Sequence, residues 1–377
     1  MSLKKVVFTL NGLMYGGVAR TTINLANHMA MEGHDVSILV FGRSRDLESE
    51  INEKVKARII ARNYVLSFFP FLFFLLRERP DLVIAAKDDV NVFTTLIHRL
   101  SSIPGKCIIT IRTTLSQQMK YSATKRSRRT MSRAKRVYHW ADTVVAVSKG
   151  TARDAERYLN LPENSIQTIY NPAAKPSSFN KDLSLPNHPF FQPPPETGER
   201  APVVLACGRY QTQKNFEGLI RSFAQVVAEQ DARLIILGEG ELEKELQDLI
   251  NELQLQEFVC LQPPVLQPEA YMKHTELFVL SSLWEGFSNV LVEAMSVGSN
   301  IVSVDCPHGP SEVLEGGKYG KLVPNNDPEA LSQAIIEALK NQRQVKPEDL
   351  LQRAANFTPA AIAAQYLDLH SQPTQGP

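Results

Sequence analysis

The chain has 377 residues, 43% of them apolar and 21% charged, which excludes wholesale disorder and suits two domains with separate cores. Its net charge of +1 conceals an asymmetry: residues 1–175 carry 27 Lys/Arg and 14 Asp/Glu, and residues 176–377 carry 14 and 26. A basic half joined to an acidic half implies that the two meet different partners.

Met1 to Lys5 lead into apolar Val6–Leu10, a buried first strand and not a signal peptide. Further strands are expected at Asp35–Phe41, Leu82–Ala85, Ile108–Ile111 and Thr143–Val147, then at Val203–Ala206, Arg233–Leu237, Val259–Leu261, Leu277–Leu280 and Ile301–Val304. Amphipathic segments alternate with them, the signature of βαβ units and parallel sheets. The longest apolar run, Val65–Leu76, contains Pro70 and is twelve residues long, short of the roughly twenty that span a bilayer. Between Pro172 and Pro202 eight prolines fall in thirty-one residues, which neither sheet could accommodate. The expected division is therefore a first domain at 1–175, a proline-rich linker at 176–200, a second domain at 201–355, and a C-terminal helix and tail at 356–377 that can cross back to the first domain. The tail after Gln372 is expected to fray. Four widely spaced cysteines without a C-x-x-C pair argue against disulfides or zinc and fit the cytoplasm.

Two doubly wound domains facing each other place the carboxyl ends of both sheets at a common cleft, where ligands of such sheets bind. The motifs follow strands accordingly. After Leu277–Leu280 comes Trp284-Glu285-Gly286-Phe287-Ser288-Asn289, opening a helix capped by Ser288 or Asn289 and stopped at Gly298. Backbone N–H groups at Ser288–Val290 make a phosphate seat. Glu285 before it and Glu293 inside the helix can accept hydrogen bonds from sugar hydroxyls. An ordinary amphipathic helix with an accidental glutamate pair is the plainer alternative. After Val203–Ala206 comes Gly208-Arg209-Tyr210-Gln211-Thr212-Gln213-Lys214-Asn215. Gly208 permits a tight turn, and Arg209 and Lys214 can converge on a diphosphate; a solvated loop is the other reading.

In their order these motifs resemble glycosyltransferase family 4, of GT-B architecture. Gly16-Gly17-Val18-Ala19-Arg20, Ile169-Tyr170-Asn171-Pro172, Leu237-Gly238-Glu239-Gly240 and Asp305-Cys306-Pro307-His308-Gly309-Pro310 complete the set. The last narrows the resemblance to a branch building bacterial surface glycans and lipid-linked oligosaccharides. The resemblance implies a retaining hexosyl- or N-acetylhexosaminyltransferase using a nucleotide-diphosphate sugar, UDP-linked by expectation, with no metal or other cofactor. It implies that Arg209 and Lys214 hold the donor diphosphate, that Glu285 and Gly286, Phe287, Ser288 and Asn289 cradle the donor sugar, and that Glu293 binds the ribose. Gly238 and Val265 would lie against the base. Gly16 and Gly17 allow close approach to phosphate or acceptor, or form a structural turn.

Many relatives carry a histidine after the fourth strand of the first domain, where this chain has Arg112. A guanidinium cannot act as a base, so Arg112 is expected to stabilise leaving-group charge or to orient an acceptor phosphate. Asp88, Asp89 and Asn91 follow the third strand, on the acceptor side. Gly238-Glu239-Gly240 lacks the third glycine of a dinucleotide fingerprint, and His308 reads as a packing residue. Lys120–Arg136 has eight Lys/Arg and no acid; with the aromatic run Phe68–Leu76 it suits an anionic membrane surface at the inner face of the plasma membrane better than nucleic acid. A solvated helix and a core helix are the plainer readings of those two segments. Rival functions are a sugar-nucleotide epimerase of the same architecture, for which no convincing acid/base pair is found, and a non-catalytic membrane-associated sugar-nucleotide-binding module.

Overall fold

The computed structural model describes residues 3–371 apart from 15, 62, 122, 176, 177, 180–182, 194–197, 342 and 344. The expected fraying of the tail falls outside them. The chain divides into two compact units, one of residues 1–173 with 357–377 and one of 174–356.

The first unit holds strands β1 (Lys5–Leu10), β2 (Asp35–Val40), β3 (Lys56–Ile59), β4 (Leu82–Ala86), β5 (Lys106–Ile111), β6 (Thr143–Ala146) and β7 (Gln167–Thr168). They pair in parallel in the order β3-β2-β1-β4-β5-β6-β7. Its helices are α1 (Gly17–Met31), α2 (Tyr64–Glu78), α3 (Asp88–Ser101), α4 (Leu115–Tyr121), α5 (Lys125–Val137) and α6 (Lys149–Leu159). The second unit holds β8 (Val203–Cys207), α7 (Phe216–Glu229), β9 (Arg233–Leu237), α8 (Glu243–Glu252), β10 (Val259–Gln262), α9 (Pro268–His274), β11 (Leu277–Leu280), α10 (Asn289–Met295), β12 (Ile301–Val304), α11 (Pro310–Val313), β13 (Lys321–Val323), α12 (Pro328–Lys340) and α13 (Pro347–Ala355). Its sheet is also parallel, in the order β10-β9-β8-β11-β12-β13. Helix α14 (Pro359–Asp368) returns to the first unit.

Both units are thus doubly wound α/β domains. The ten expected strands are all present, with ends shifted by no more than two residues. The three that sequence reading omits, β3, β7 and β13, are sheet edges. An edge strand has a ladder on one side only and needs no apolar run; all four residues of β3 are exposed.

The strands bury alternate faces. Val6, Phe8 and Leu10 join α1 and α14 in one core, with Ile362 and Tyr366 inside it. Val7, Val83, Ile109 and Ile111 join α2, α3 and α5 in another. Helix α5 begins with a reciprocal capping box between Thr124 and Ser127, and buries only Met131, Ala134 and Val137. Its arginines 126, 128, 129 and 133 are exposed. In α2, capped by Asn63, Phe71 and Leu75 are buried while Val65, Leu66, Phe69, Phe73 and Leu76 stand 50–84% exposed. The aromatic run is therefore a half-buried helix with an outward apolar stripe at helical spacing, not a core helix throughout. The proline-rich stretch belongs, in its described residues, to the second unit: Phe191 is buried against Tyr271, and His274 meets the Leu183 carbonyl at 2.7 Å.

Ile362 on α14 is fully buried in the first unit. Ile362→Ala should lower the stability of that unit by about 2–5 kcal/mol. Urea unfolding should show the first unit's transition moving to lower denaturant while the second unit's stays in place.

Candidate active site

In the second sheet, strand order reverses between β8 and β11, and the residues leaving these two strands meet. Leu283 N–H donates to the Gln213 carbonyl at 2.8 Å, Gln213 Nε2 donates to the Trp284 carbonyl at 2.9 Å, and Ser281 Oγ donates to the Lys214 carbonyl at 2.8 Å. On this frame Lys214 Nζ lies 2.6 Å from Glu285 Oε1, and Ser282 Oγ donates to the same oxygen at 2.7 Å. The side chains are 17% and 9% exposed, so the pair is held largely out of water. Glu285 is fixed through its backbone too: its N–H donates to the Pro307 carbonyl and its carbonyl accepts from His308 N–H.

Lys214 and Glu285, expected to meet different parts of a donor, are therefore direct partners. The glycine between them and β8 has a different task from the one expected. Gly208 is not in a left-handed turn; a Cβ there would lie 3.0 Å from Lys214 Cε, so its bareness makes room for the lysine stem. Gly238 packs closer still, a Cβ falling 1.9 Å from the Gly208 carbonyl oxygen. Tyr210 wedges beside it, its hydroxyl donating to the Ile236 carbonyl at 2.8 Å. Arg209 is exposed. Val265 is half-buried in the segment leaving β10, two strands out from β8.

Gly286 and Phe287 lead from Glu285 to Ser288, the residue before α10. Ser288 has φ 74° and its hydroxyl does not cap the helix; Oγ is buried without a partner among the described residues. A left-handed serine with an unsatisfied hydroxyl is costly. Gly309, at φ 110°, lets the β12 loop approach, since a Cβ there would sit 2.8 Å from the Phe287 backbone. Glu293 is half-buried on α10. At the end of β8 the Cys207 thiol is raised well above its ordinary pKa by burial and by Glu293 and Glu269, with Lys214 opposing. Gly298, at φ 73°, follows α10.

In the first sheet the reversal lies between β1 and β4. Gly16 precedes α1 at φ 157°, a conformation that residues with a side chain rarely adopt, with open space where a Cβ would stand; Gly17 opens the helix. Arg112 Nη1 donates to Thr21 Oγ1 at 2.9 Å and to Asn171 Oδ1 at 2.7 Å, and Nε to Thr110 Oγ1 at 3.2 Å. Thr21 Oγ1 in turn donates to the Gly17 carbonyl at 2.7 Å. Burial lowers the Arg112 pKa, and a guanidinium stays charged regardless. The Thr110 carbonyl accepts from Asn91 Nδ2 at 2.9 Å; Nδ2 also reaches the Tyr138 hydroxyl at 3.2 Å, which donates to Asp88 Oδ1 at 3.4 Å. One network thus joins Gly17, Arg112, Asn91 and Asp88. Asp88 is raised to about 6, first by burial and then by Asp89, against the Tyr138 hydrogen bond and Lys87. Asp89 pairs outward with Arg126 at 3.0 Å.

Sequence reading missed Ser282, Thr21 and Tyr138, whose polar roles arise only from packing. Asn171 stood in a recognised motif without a role. All four cysteines are free thiols.

A family model described as "Glycosyltransferase Family 4" matches residues 15–173, and one described as "Glycosyl transferases group 1" matches residues 189–357. The chain belongs to glycosyltransferase family 4. An uncharacterised glycosyltransferase of Methanocaldococcus jannaschii is 32% identical over 70% of this chain and 65% of its own. The N-acetylgalactosamine-N,N'-diacetylbacillosaminyl-diphospho-undecaprenol 4-alpha-N-acetylgalactosaminyltransferase of Campylobacter jejuni is 29% identical over 61% of this chain and 60% of its own. The matches thus span somewhat under two thirds of these two relatives. Among solved structures, HepE of Anabaena in complex with UDP-glucose superposes with a TM-score of 0.75 at 20% identity, covering 98% of this chain and 99% of that one. The glycosyltransferase therefore has the GT-B fold.

Removing Lys214 leaves Glu285 buried without its cation. Lys214→Met should destabilise the second unit by about 3 kcal/mol, and adding Glu285→Gln should recover most of that. A urea-unfolding cycle of the parent, two singles and the double measures the coupling; strictly additive losses would show the pair to be independent.

Proposed function

We propose that this glycosyltransferase is a retaining enzyme that moves a hexose or N-acetylhexosamine from a UDP-sugar to a glycan or lipid-linked acceptor. The observation that carries the reading is the Lys214–Glu285 pair, locked at the strand reversal of the acidic unit, where α/β sheets bind ligands. Lys214 and exposed Arg209 take the donor diphosphate, their charge answering the phosphates without a metal ion. Glu285, whose Oε1 is already fixed by Lys214 and Ser282, aims its carboxylate at the donor sugar, beside Gly286, Phe287, Ser288 and Asn289. The orphaned Ser288 hydroxyl gains a partner when the sugar arrives. Glu293 binds the ribose, and the segments of Gly238 and Val265 the base. Arg112, preset by three hydrogen bonds, neutralises charge as the nucleoside diphosphate leaves. Gly16 and Gly17 let phosphate or acceptor come close. The Campylobacter relative, by its name, acts on a diphospho-undecaprenol compound, which supports the lipid-linked alternative and a place in surface-glycan assembly.

No described helix is long and apolar enough to cross a membrane. Peripheral attachment at the cytoplasmic face is supported instead by α2 and α5. Both pack on α3, so the exposed apolar stripe of α2 and the basic face of α5 flank one helix. Each basic residue near an anionic leaflet adds about 1 kcal/mol, decaying over roughly 8 Å in physiological salt.

Calorimetry with UDP should show Lys214→Ala losing roughly 1.5–3 kcal/mol, and Glu293→Gln losing more affinity for UDP than for pyrophosphate. Arg112→Ala should lose about 10²-fold in turnover of radiolabelled UDP-sugars presented with bacterial membrane lipids, while Arg112→Lys retains part. Unchanged UDP affinity in folded Lys214→Ala and Glu293→Gln variants would refute the donor assignment. For the membrane, the protein should co-sediment with anionic liposomes at low salt and be released at high salt. Replacing Arg128, Arg129 and Arg133 by glutamine, or Phe69 and Phe73 by serine, should weaken binding and leave UDP affinity intact. Failure of the parent to bind anionic liposomes at low salt would point to a soluble acceptor.

A further inference from the structure

Asp88 occupies a place that packing alone does not explain. It opens α3 directly after β4, on one side of the β1/β4 reversal, with Gly16 and Gly17 on the other. A carboxylate in the first turn of a helix is ordinarily stabilised as the anion. Here burial and Asp89 overcome that preference. Above the ordinary aspartate range the fold holds a charge it disfavours, so stability falls as pH rises toward 6. A second observation points to a ligand. Asn91, fully buried in the same network, has Oδ1 without a partner among the described residues. The charged and titratable groups around Asp88 are Asp89 on α3, Lys87 before it and Tyr138 after α5; Arg126 of α5 is engaged by Asp89. Tyr138 fixes only Oδ1, and Oδ2 makes none of the hydrogen bonds among the described residues.

We propose that Asp88 takes the proton of the acceptor's sugar hydroxyl during transfer, a reading that rests on the transferase function above. The acceptor oxygen, entering on the face from which the phosphate departs so that configuration is retained, forms its bond to the donor's anomeric carbon. The bond from that carbon to the phosphate oxygen breaks, its electron pair leaving with the nucleoside diphosphate, and the hydroxyl proton passes to the Asp88 carboxylate and then to solvent. A carboxylate titrating near 6 is ionised at neutral pH and basic enough to assist. The competing proton acceptor is an oxygen of the donor phosphate itself.

The test is Asp88→Asn, whose amide oxygen can still accept from Tyr138. Transfer from radiolabelled UDP-glucose, UDP-galactose and UDP-N-acetylglucosamine to bacterial membrane lipids should fall by about 10²-fold or more. UDP affinity should hold, and Tm at pH 8 should be equal or higher, because a disfavoured charge is gone. In the parent, kcat/KM should drop as pH falls through about 6; this limb should vanish in the residual activity of Asp88→Asn. Tyr138→Phe removes a hydrogen bond that favours the anion and should move the limb upward. Transfer by Asp88→Asn within about threefold of the parent, with the limb unmoved, overturns the assignment in favour of the donor phosphate. A lowered Tm with turnover intact makes Asp88 structural. An Asp88→Asn variant that does not fold leaves the decision to Tyr138→Phe, where an unmoved limb counts against the proposal. No transfer by the parent, to membrane lipids or to soluble glycans, defeats the transferase reading itself.

Discussion

The reversal of strand order in each sheet governs the rest of the molecule. Where β1 and β4, or β8 and β11, run side by side, their following helices depart to opposite faces. The loops above such a pair part, leaving a crevice at the carboxyl edge that no crossover covers. Polar side chains can be placed there without being crushed into a core. Arg112, Asn91 and Asp88 gather at one crevice, and Lys214, Glu285 and Ser282 at the other.

Each crevice holds its charges partly out of water, Arg112 and Asp88 being half-buried, and each manages the resulting cost differently. Lys214 and Glu285 neutralise one another, and a serine hydroxyl meets the shared oxygen. Arg112 has no carboxylate partner among the described residues; three neutral oxygens receive it. Its positive charge therefore remains uncancelled and available to an anion. Asp88 is the least reconciled, beside a second acid and a weak hydroxyl donor. Buried charges left partly uncompensated mark sites where stability yields to chemistry.

Much of the fold was legible in the chain because buried parallel strands demand continuous apolar runs, and Leu277–Leu280 or Ile301–Val304 admit few other readings. The edge strands β3, β7 and β13 escaped because half their hydrogen bonding faces away from the sheet, which relaxes that demand. Motif positions such as Gly208 and Glu285 could be read, but their partnerships could not. That Lys214 bonds Glu285, 71 positions away, follows from how β8 sits against β11. Gly208 looked like a turn glycine because a spacing cannot reveal a lysine stem lying across it. Tyr138 carried no signal: its hydroxyl matters only because α3 and the end of α5 meet. The elevation of Asp88 is likewise a property of its surroundings.

The first unit is assembled from both ends of the described chain, with the second unit inserted between residues 173 and 357. Its sheet and the helices up to α6 leave the ribosome early, yet the core that contains Val6, Phe8 and Leu10 lacks Ile362, Ala363 and Tyr366 until α14 emerges. During translation the second unit, contiguous in the chain, can complete its core while the first still exposes an apolar groove beside α1. Residence on a chaperone, and sensitivity to a stalled ribosome, should therefore belong to the unit made first and finished last.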